Sequence, residues 1–178
     1  MEHPHIPAYI SLGGNIGDIA ATFAMAVERI ARIPRVRIGA CSSLYMTEPQ
    51  GMPAQPWFHN QVVRLLYAAP DSDSSNMQDL AEFFLEVLLE IETGLGRSRS
   101  NTQRFGPRSL DIDLLSFGDI ICDTPLVTLP HPRMHTRAFI LVPLLEIAPD
   151  FLVPGLGPIQ RLLDRLRFSV EDGKIYQH

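Results

Sequence analysis

Lysine is nearly absent from this chain: Lys174 is the only one in 178 residues, and the other fourteen basic residues are arginines. No Gly-x-x-x-x-Gly-Lys-Ser/Thr loop can be written, which excludes a Walker-type nucleotide triphosphatase. A protein-kinase architecture fails for want of its strand lysine. Schiff-base chemistry would have to fall on Lys174, close to the C-terminus. Cysteine is scarce too. Cys41 and Cys122 stand 81 positions apart with no Cys-x-x-Cys, which gives neither a disulfide framework nor a zinc site. No apolar run approaches the roughly 18–20 residues that cross a bilayer. The opening Met1-Glu2-His3-Pro4-His5 has no basic stretch followed by an apolar one, so no signal peptide is expected and the cytoplasm is the expected compartment. Basic residues are outnumbered, for a net charge of −5. That balance argues against general binding to nucleic acid or to anionic membranes.

What the chain does have is enough apolar material for a full core, with 46% hydrophobic and 20% charged residues. Its length suits a single domain spanning 1–178. Ala8, Ile10 and Leu12 alternate with Tyr9 and Ser11 as a strand does, and Gly13-Gly14-Asn15-Ile16-Gly17 breaks the pattern. Ile19, Phe23, Val27, Ile30 and Ile33 then recur at steps of four and three, one face of a helix from Asp18 that Pro34 stops. Residues 36–46 and 58–68 read as strands, separated by a proline-rich loop. Ser75 and Gln78 form a capping box for a second helix with the stripe Met77, Leu80, Phe84, Leu88 and Ile91, and Gly94 is its expected stop. Residues 110–117 read as a fourth strand. Beyond them the pattern predicts short strands, a helical piece near 137–147 and a short helix near 159–167. The order strand, helix, strand, strand, helix, strand is the ferredoxin-like βαββαβ pattern. The expected class is therefore α+β: a mostly antiparallel sheet, helices packed on one face, a C-terminal extension, and a ligand on the open sheet face or its loops.

Leu110-Asp111-Ile112-Asp113-Leu114-Leu115 is the strongest local signal. Alternation on a strand points Leu110, Ile112 and Leu114 at the core and leaves Asp111 and Asp113 together on the other face. Two carboxylates so close need a cation between them, and magnesium, which takes oxygen ligands and keeps water or phosphate in its shell, fits. Taken alone, the pair suits an ordinary half-exposed strand better. The preceding loop tips the balance: Arg97, Arg99, Arg104 and Arg108 fall within twelve residues, and no acid occurs from Arg97 to Leu110. Arginine forks suit phosphate oxygens. Cations beside metal-binding carboxylates are the equipment of phosphoryl transfer. The competing role of these arginines is a solvated loop paired with Glu86, Glu90 and Glu92. A second cationic cluster, His131, Arg133, His135 and Arg137, is interrupted by Pro130 and Pro132, which favours phosphate contact over metal ligation. The Gly13–Gly17 turn is either a tight connection or an anion cradle. Phe58 and Asn60 share a strand face and together would stack on and hydrogen-bond a flat heterocycle, although core packing is the simpler role for Phe58.

Arg104-Phe105-Gly106-Pro107-Arg108-Ser109-Leu110-Asp111-Ile112-Asp113-Leu114-Leu115 resembles the signature of the 6-hydroxymethyl-7,8-dihydropterin pyrophosphokinase family. Tyr9–Asn15, Ser43–Gly51, Pro56–Asn60, Leu129–Met134, Arg137–Phe139 and Pro143–Pro149 resemble other family segments in the right order, over residues 7–150. The resemblance implies a ferredoxin-like α+β fold and transfer of pyrophosphate from ATP to the pterin hydroxymethyl oxygen, with AMP released, in folate biosynthesis. It implies two magnesium ions on Asp111 and Asp113, and arginines Arg97 and Arg99 on a loop that closes over the nucleotide. It places Arg108, Leu114, Thr128, His131 and Arg137 around the nucleotide, and the pterin between Phe58 and Phe139, with Asn60, Thr47 and Gln50 at its edges. Gly14, Phe58 and Phe105 stand where the family commonly has Ser, Tyr and Trp, and Glu48 follows Thr47 where a proline can occur. Competing readings are a ferredoxin-like RNA-binding module, a metal-dependent phosphohydrolase and a relative that only binds pterin. The acidic balance disfavours the first, product identity separates the second, and the intact aspartates and arginines weigh against the third.

Overall fold

Strand alternation and turn chemistry lay out the frame of the computed structural model, which describes residues 5–49, 54–69, 76–96 and 106–178. β1 (His5–Gly14) leads into α1 (Ile19–Ala31), β2 (Val36–Cys41), β3 (Tyr45–Thr47), β4 (Phe58–Ala68), α2 (Met77–Gly94) and β5 (Asp111–Phe117). β1 is central, antiparallel to β4 on one side and to β5 on the other. β2 and β3 lie end to end along the far edge of β4. They are the expected strand 36–46, broken at Ser42–Leu44. There the Ser42 Oγ accepts the Val62 N–H at 3.0 Å and so stands in for a ladder bond, and both the Ser43 N–H and hydroxyl turn to Glu146. Side chains that offer the backbone local alternatives interrupt strands in this way.

The two long helices start where their caps allow. Asp18 accepts the Ala21 N–H at 3.0 Å, and Asn76 accepts the Gln78 N–H at 3.2 Å. Ser75 lies outside the described residues. α2 ends at Gly94, but the left-handed residue that turns the chain away is Gly96, at φ +94°. The apolar stripes of α1 and α2 bury Phe23, Ile30, Phe84 and Leu88 against Ile10, Leu12, Val63, Ile112 and Phe117.

The helices do not all pack on one face. After β6 (Cys122–Asp123), β7 (Thr128–Leu129) and a 3₁₀ turn (Met134–Thr136), α3 (Ala138–Ile147) crosses to the opposite side of the sheet. β8 (Leu152–Val153), β9 (Gly157–Pro158) and α4 (Ile159–Leu163) follow it there. Tyr9, Val62 and Leu115 explain the crossing: all three are apolar, they sit on the far face, and Ile140, Leu141, Leu144 and Leu162 cover them. Leu115 shares that face with Asp111 and Asp113 by plain alternation; the β1–β5 register then shifts between Tyr9 and Ile10, so that Tyr9 pairs with Ser116 and Phe117 turns to the α1/α2 face. A bulge re-aims side chains beyond it. The expected open face is therefore partly covered, and among the described residues its end near Gly13, Asn60 and Asp111 opens on a cavity.

The last helix is shorter than the expected 159–167, because the chain turns into a hairpin, β10 (Phe168–Glu171) and β11 (Lys174–Gln177). Asp172 (φ +48°) and Gly173 (φ +74°) form its turn, a sequence that favours two-residue hairpins. β11 pairs in parallel with β3, joining the hairpin to the main sheet.

Phe84 is 2% exposed and its ring lies 5.5 Å from that of Phe117, so it ties α2 to the sheet. Phe84→Ala is expected to lower unfolding free energy by about 3–5 kcal/mol in urea titrations; a loss under about 1 kcal/mol would contradict this packing.

Candidate active site

β5 carries Asp111 and Asp113 on the uncovered end of the far face, opposite Ser11 and Gly13 of β1. Both line a cavity of about 680 Å³ that also takes in Phe58 and Asn60 of β4, Thr47 of β3 and Arg108, His131, Arg137 and Phe139. The charge layout is informative in itself. Arg108 Nε lies 3.1 Å from Asp111 Oδ2, Arg137 Nη1 3.7 Å from Asp113 Oδ2, and His131 Nε2 4.0 Å from the same oxygen. The guanidiniums also stack: Arg108 sits 4.8 Å from the Phe58 ring centroid and Arg137 5.4 Å from that of Phe139.

His131 is held in one state. Its Nδ1 accepts the Arg133 N–H at 3.2 Å, which leaves the proton on Nε2, the nitrogen that faces Asp113. Burial, then the charges of Arg137 and Arg133, push its pKa down to about 4. The imidazole is neutral at pH 7. Burial first, and Arg133 next, also lower Arg137 from the ordinary arginine value.

Three positioning contacts were not singled out as site features by the sequence. Asn15 is 6% exposed. Its Oδ1 accepts the Arg108 N–H at 2.9 Å, and its Nδ2 donates to Gln55 Oε1 and Pro56 O. The amides of Asn15 and Ile16 both donate to Arg108 O, so the glycine turn is a brace for Arg108 and these amides are not an anion cradle. Gly14 allows that approach: a Cβ there would stand 2.5 Å from Ser109 O, which is why a serine does not fit this geometry. Glu92 is fully buried and its Oε2 accepts the Ile112 N–H at 2.8 Å, gripping β5 between the two aspartates. The signal was its spacing, since Phe84, Leu88 and Glu92 recur at steps of four on the buried face. Glu146 of α3 accepts from Ser43 and, through Oε2, from the Tyr45 hydroxyl at 2.9 Å.

Leu85 and Leu89 of α2 join Leu114, Leu126 and Val127 as an apolar bay at one end of the cavity, beside Thr128, whose hydroxyl donates to Asp123. Asn60 Nδ2 donates to Thr47 Oγ1 at 3.0 Å at the other end. His135 is exposed and outside the cavity lining, so it does not join His131 there. Arg97, Arg99, Arg104, Phe105 and Gln50 lie outside the described residues.

The model of the family described as 7,8-dihydro-6-hydroxymethylpterin-pyrophosphokinase matches residues 9–149. The chain belongs to that family. A Methylorubrum extorquens protein named 2-amino-4-hydroxy-6-hydroxymethyldihydropteridine pyrophosphokinase is 45% identical over 149 residues, 83% of this chain and 86% of its own length. The Pseudomonas aeruginosa protein of the same name is 37% identical over 161 residues, 90% of this chain and 92% of its own. Among solved structures, Plasmodium falciparum HPPK-DHPS, wild type with STZ-DHP, aligns at a TM-score of 0.63 and 14% identity. The alignment covers 98% of this chain but only 48% of that one, so this chain spans about half the length of that protein. At that identity the likeness shows the fold alone.

Two predictions follow from the geometry. Glu92→Leu leaves the Ile112 N–H buried without an acceptor and is expected to cost about 1–3 kcal/mol in denaturant titration, with Glu92→Gln closer to wild type; equal stability of all three would remove the grip on β5. The His131 pKa of about 4 lies below its unfolded value of 6.5, so the unfolded state takes the proton first and stability falls as pH drops through that window. In magnesium-free protein, His131→Gln should therefore gain on wild type from pH 6.5 down to 4, by roughly 3 kcal/mol at most. A pH-independent difference would mean that His131 is not held neutral.

Proposed function

We propose that this protein transfers pyrophosphate from ATP to the hydroxymethyl oxygen of 6-hydroxymethyl-7,8-dihydropterin, releasing AMP, as a step in folate biosynthesis. The observation that carries the reading is the single cavity in which Asp111 and Asp113 meet Arg108, Arg137 and neutral His131 between two chemically different ends. Family membership gives the reaction class.

Asp111 and Asp113 would hold magnesium, two ions in our reading, and their oxygen donors, on one strand face and open to the cavity, fit it. Bound there, magnesium supplies neutralisation of phosphate charge. The chain's own groups do the rest. Arg108 and Arg137 approach the carboxylates now and are placed to take phosphate oxygens once a cation satisfies the aspartates. His131 adds a neutral N–H donor without adding positive charge. The apolar bay of Leu85, Leu89, Leu114 and Val127 suits an adenine face, with Thr128 at its edge. Phe58 and Phe139 offer faces to the pterin, and Asn60 with Thr47 offers hydrogen bonds to its edge. Arg97 and Arg99 complete the proposed catalytic set, and Gln50 the pterin contacts, on the strength of the resemblance. Neither aspartate serves as the base, since metal ligation lowers basicity; catalysis rests on alignment and charge. The loops 48–56 and 97–104 are the proposed lids that keep water from the phosphates.

We further read β1, α1, β2, β4, α2 and β5 as a ferredoxin-like framework, with residues after β5 as its C-terminal extension. The strand order β5-β1-β4-β2 supports this. Two apolar clusters share the same sheet, which supports a single domain. No helix among the described residues is long and apolar enough to cross a membrane. A cytoplasmic enzyme acting on small molecules, without nucleic-acid or membrane partners, is the reading we adopt.

The test is a product assay with ATP, Mg²⁺ and the pterin. Wild type should form AMP in step with pterin diphosphate, and Asp113→Ala should lose at least about 100-fold in turnover. ADP or free phosphate as product would point to another phosphoryl chemistry, and pterin binding without AMP to a non-catalytic relative.

A further inference from the structure

The family match ends at residue 149, yet the C-terminal hairpin, residues 168–177, reaches back to the walls of the cavity. Gln177 makes the decisive contacts. Its Oε1 accepts the Ala138 N–H at 2.8 Å and its Nε2 donates to Thr136 O at 2.7 Å. These two bonds fall on the residues either side of Arg137, whose guanidinium lies 3.7 Å from Asp113. One amide side chain thus fixes the two peptide planes that flank Arg137 and lead, two residues on, to Phe139. The same strand grips the other wall. Ile175, 1% exposed, pairs with Thr47, and the Met46 N–H donates to Gly173 O at 2.8 Å. Tyr176 meets the Trp57 ring edge-on at 5.6 Å, and Lys174 Nζ lies 5.5 Å from that ring, next to Phe58 in sequence.

We propose that β11 is a clamp for the pterin end of the cavity and that Gln177 is a positioning residue: it touches no reacting atom and acts by holding Arg137 and Phe139 opposite Thr47 and Phe58. This rests on the pterin reading above. The physical basis is preorganisation. Side chains projecting from a short helix start have no capping side chain of their own here, since Arg137 makes no cap bond, and Gln177 supplies the missing acceptor at the N-terminus of α3. Small displacements of positioned groups carry large kinetic penalties.

The experiment compares wild type with Gln177→Ala and Gln177→Glu in the full chain, by steady-state kinetics, melting temperature and amide hydrogen exchange. Gln177→Ala should raise the KM for the pterin about tenfold with far less change in kcat and a melting temperature close to wild type. It should also speed exchange of the Ala138 amide. Gln177→Glu keeps the acceptor at a helix N-terminus, where negative charge is favoured, but sets an oxygen against Thr136 O, and should recover only part of the affinity. Unchanged KM and unchanged exchange at Ala138 would overturn the clamp, as would losses of KM and kcat that merely track unfolding. Absence of AMP formation by wild type would instead overturn the proposed reaction, and the exchange rates would still decide whether Gln177 holds this segment.

Discussion

Two aspartates at alternate positions of one strand face repel, and the architecture around β5 is organised by that repulsion. Asp111 and Asp113 are only partly exposed, with side chains 21% and 35% accessible, so water alone does not screen them. Arg108 arrives from the segment just before β5 and Arg137 from the start of α3. Each brings a guanidinium that also rests on an aromatic ring, so the cation is held by a surface as well as by a charge. The strand itself is held from behind by Glu92, at the peptide between the two aspartates. A pair fixed this firmly cannot relax apart, so its carboxylates stay side by side on the cavity wall.

The second constraint is coverage of the sheet. α1 and α2 satisfy one face, but Tyr9, Val62 and Leu115 make the other face apolar over half its length. α3 and α4 cover that half. The polar remainder, from Gly13 across to Asn60 and Asp111, stays clear and becomes the cavity. The site is thus placed by where the apolar surface stops, which is set by residue type along three neighbouring strands. An acidic protein sets Arg108, Arg133 and Arg137 at this boundary, so the attraction for a polyanion is local and the net charge of −5 does not oppose it at short range, given a screening length of about 8 Å.

Much of this was legible in the chain. The 58–68 strand, the Asp18 start of the first helix and the Asp111–Asp113 face follow from periods of 2 and 3.6 and from cap chemistry, all of which act within a few residues. What was not legible depends on distant partners or on register. The break at Ser42–Leu44 needs Glu146, about a hundred positions away. The crossing of α3 to the far face needs Tyr9, Val62 and Leu115 to meet as one apolar patch on three paired strands, and the turn of Phe117 to the opposite face needs the bulge opposite Tyr9. Glu92 was visible as an acid on a buried stripe, but its role needs the helix to be docked on β5. The Asp172-Gly173 turn did carry a hairpin signal, overlooked because the strands beside it are only four residues each.

The contacts that shape the site share one property: they are long in sequence and short in space. Asn15 reaches Arg108 across 93 positions, Glu146 reaches Tyr45 across 101, and Gln177 reaches Thr136 across 41. Each closes a large loop, and closure entropy rises only slowly with loop length, so long-range ties are not much costlier than medium ones. These ties hold the cavity walls at β3, β5 and α3, so the geometry that a ligand meets is set before it arrives. Preorganisation of that kind is what a reaction driven by alignment and charge neutralisation requires. It also accounts for the reach of the C-terminal hairpin: apolar packing of Ile140, Leu141 and Leu144 holds α3 on the sheet, while Glu146 near its end and β11 at its start tie it to β3 and fix the direction in which Phe139 projects.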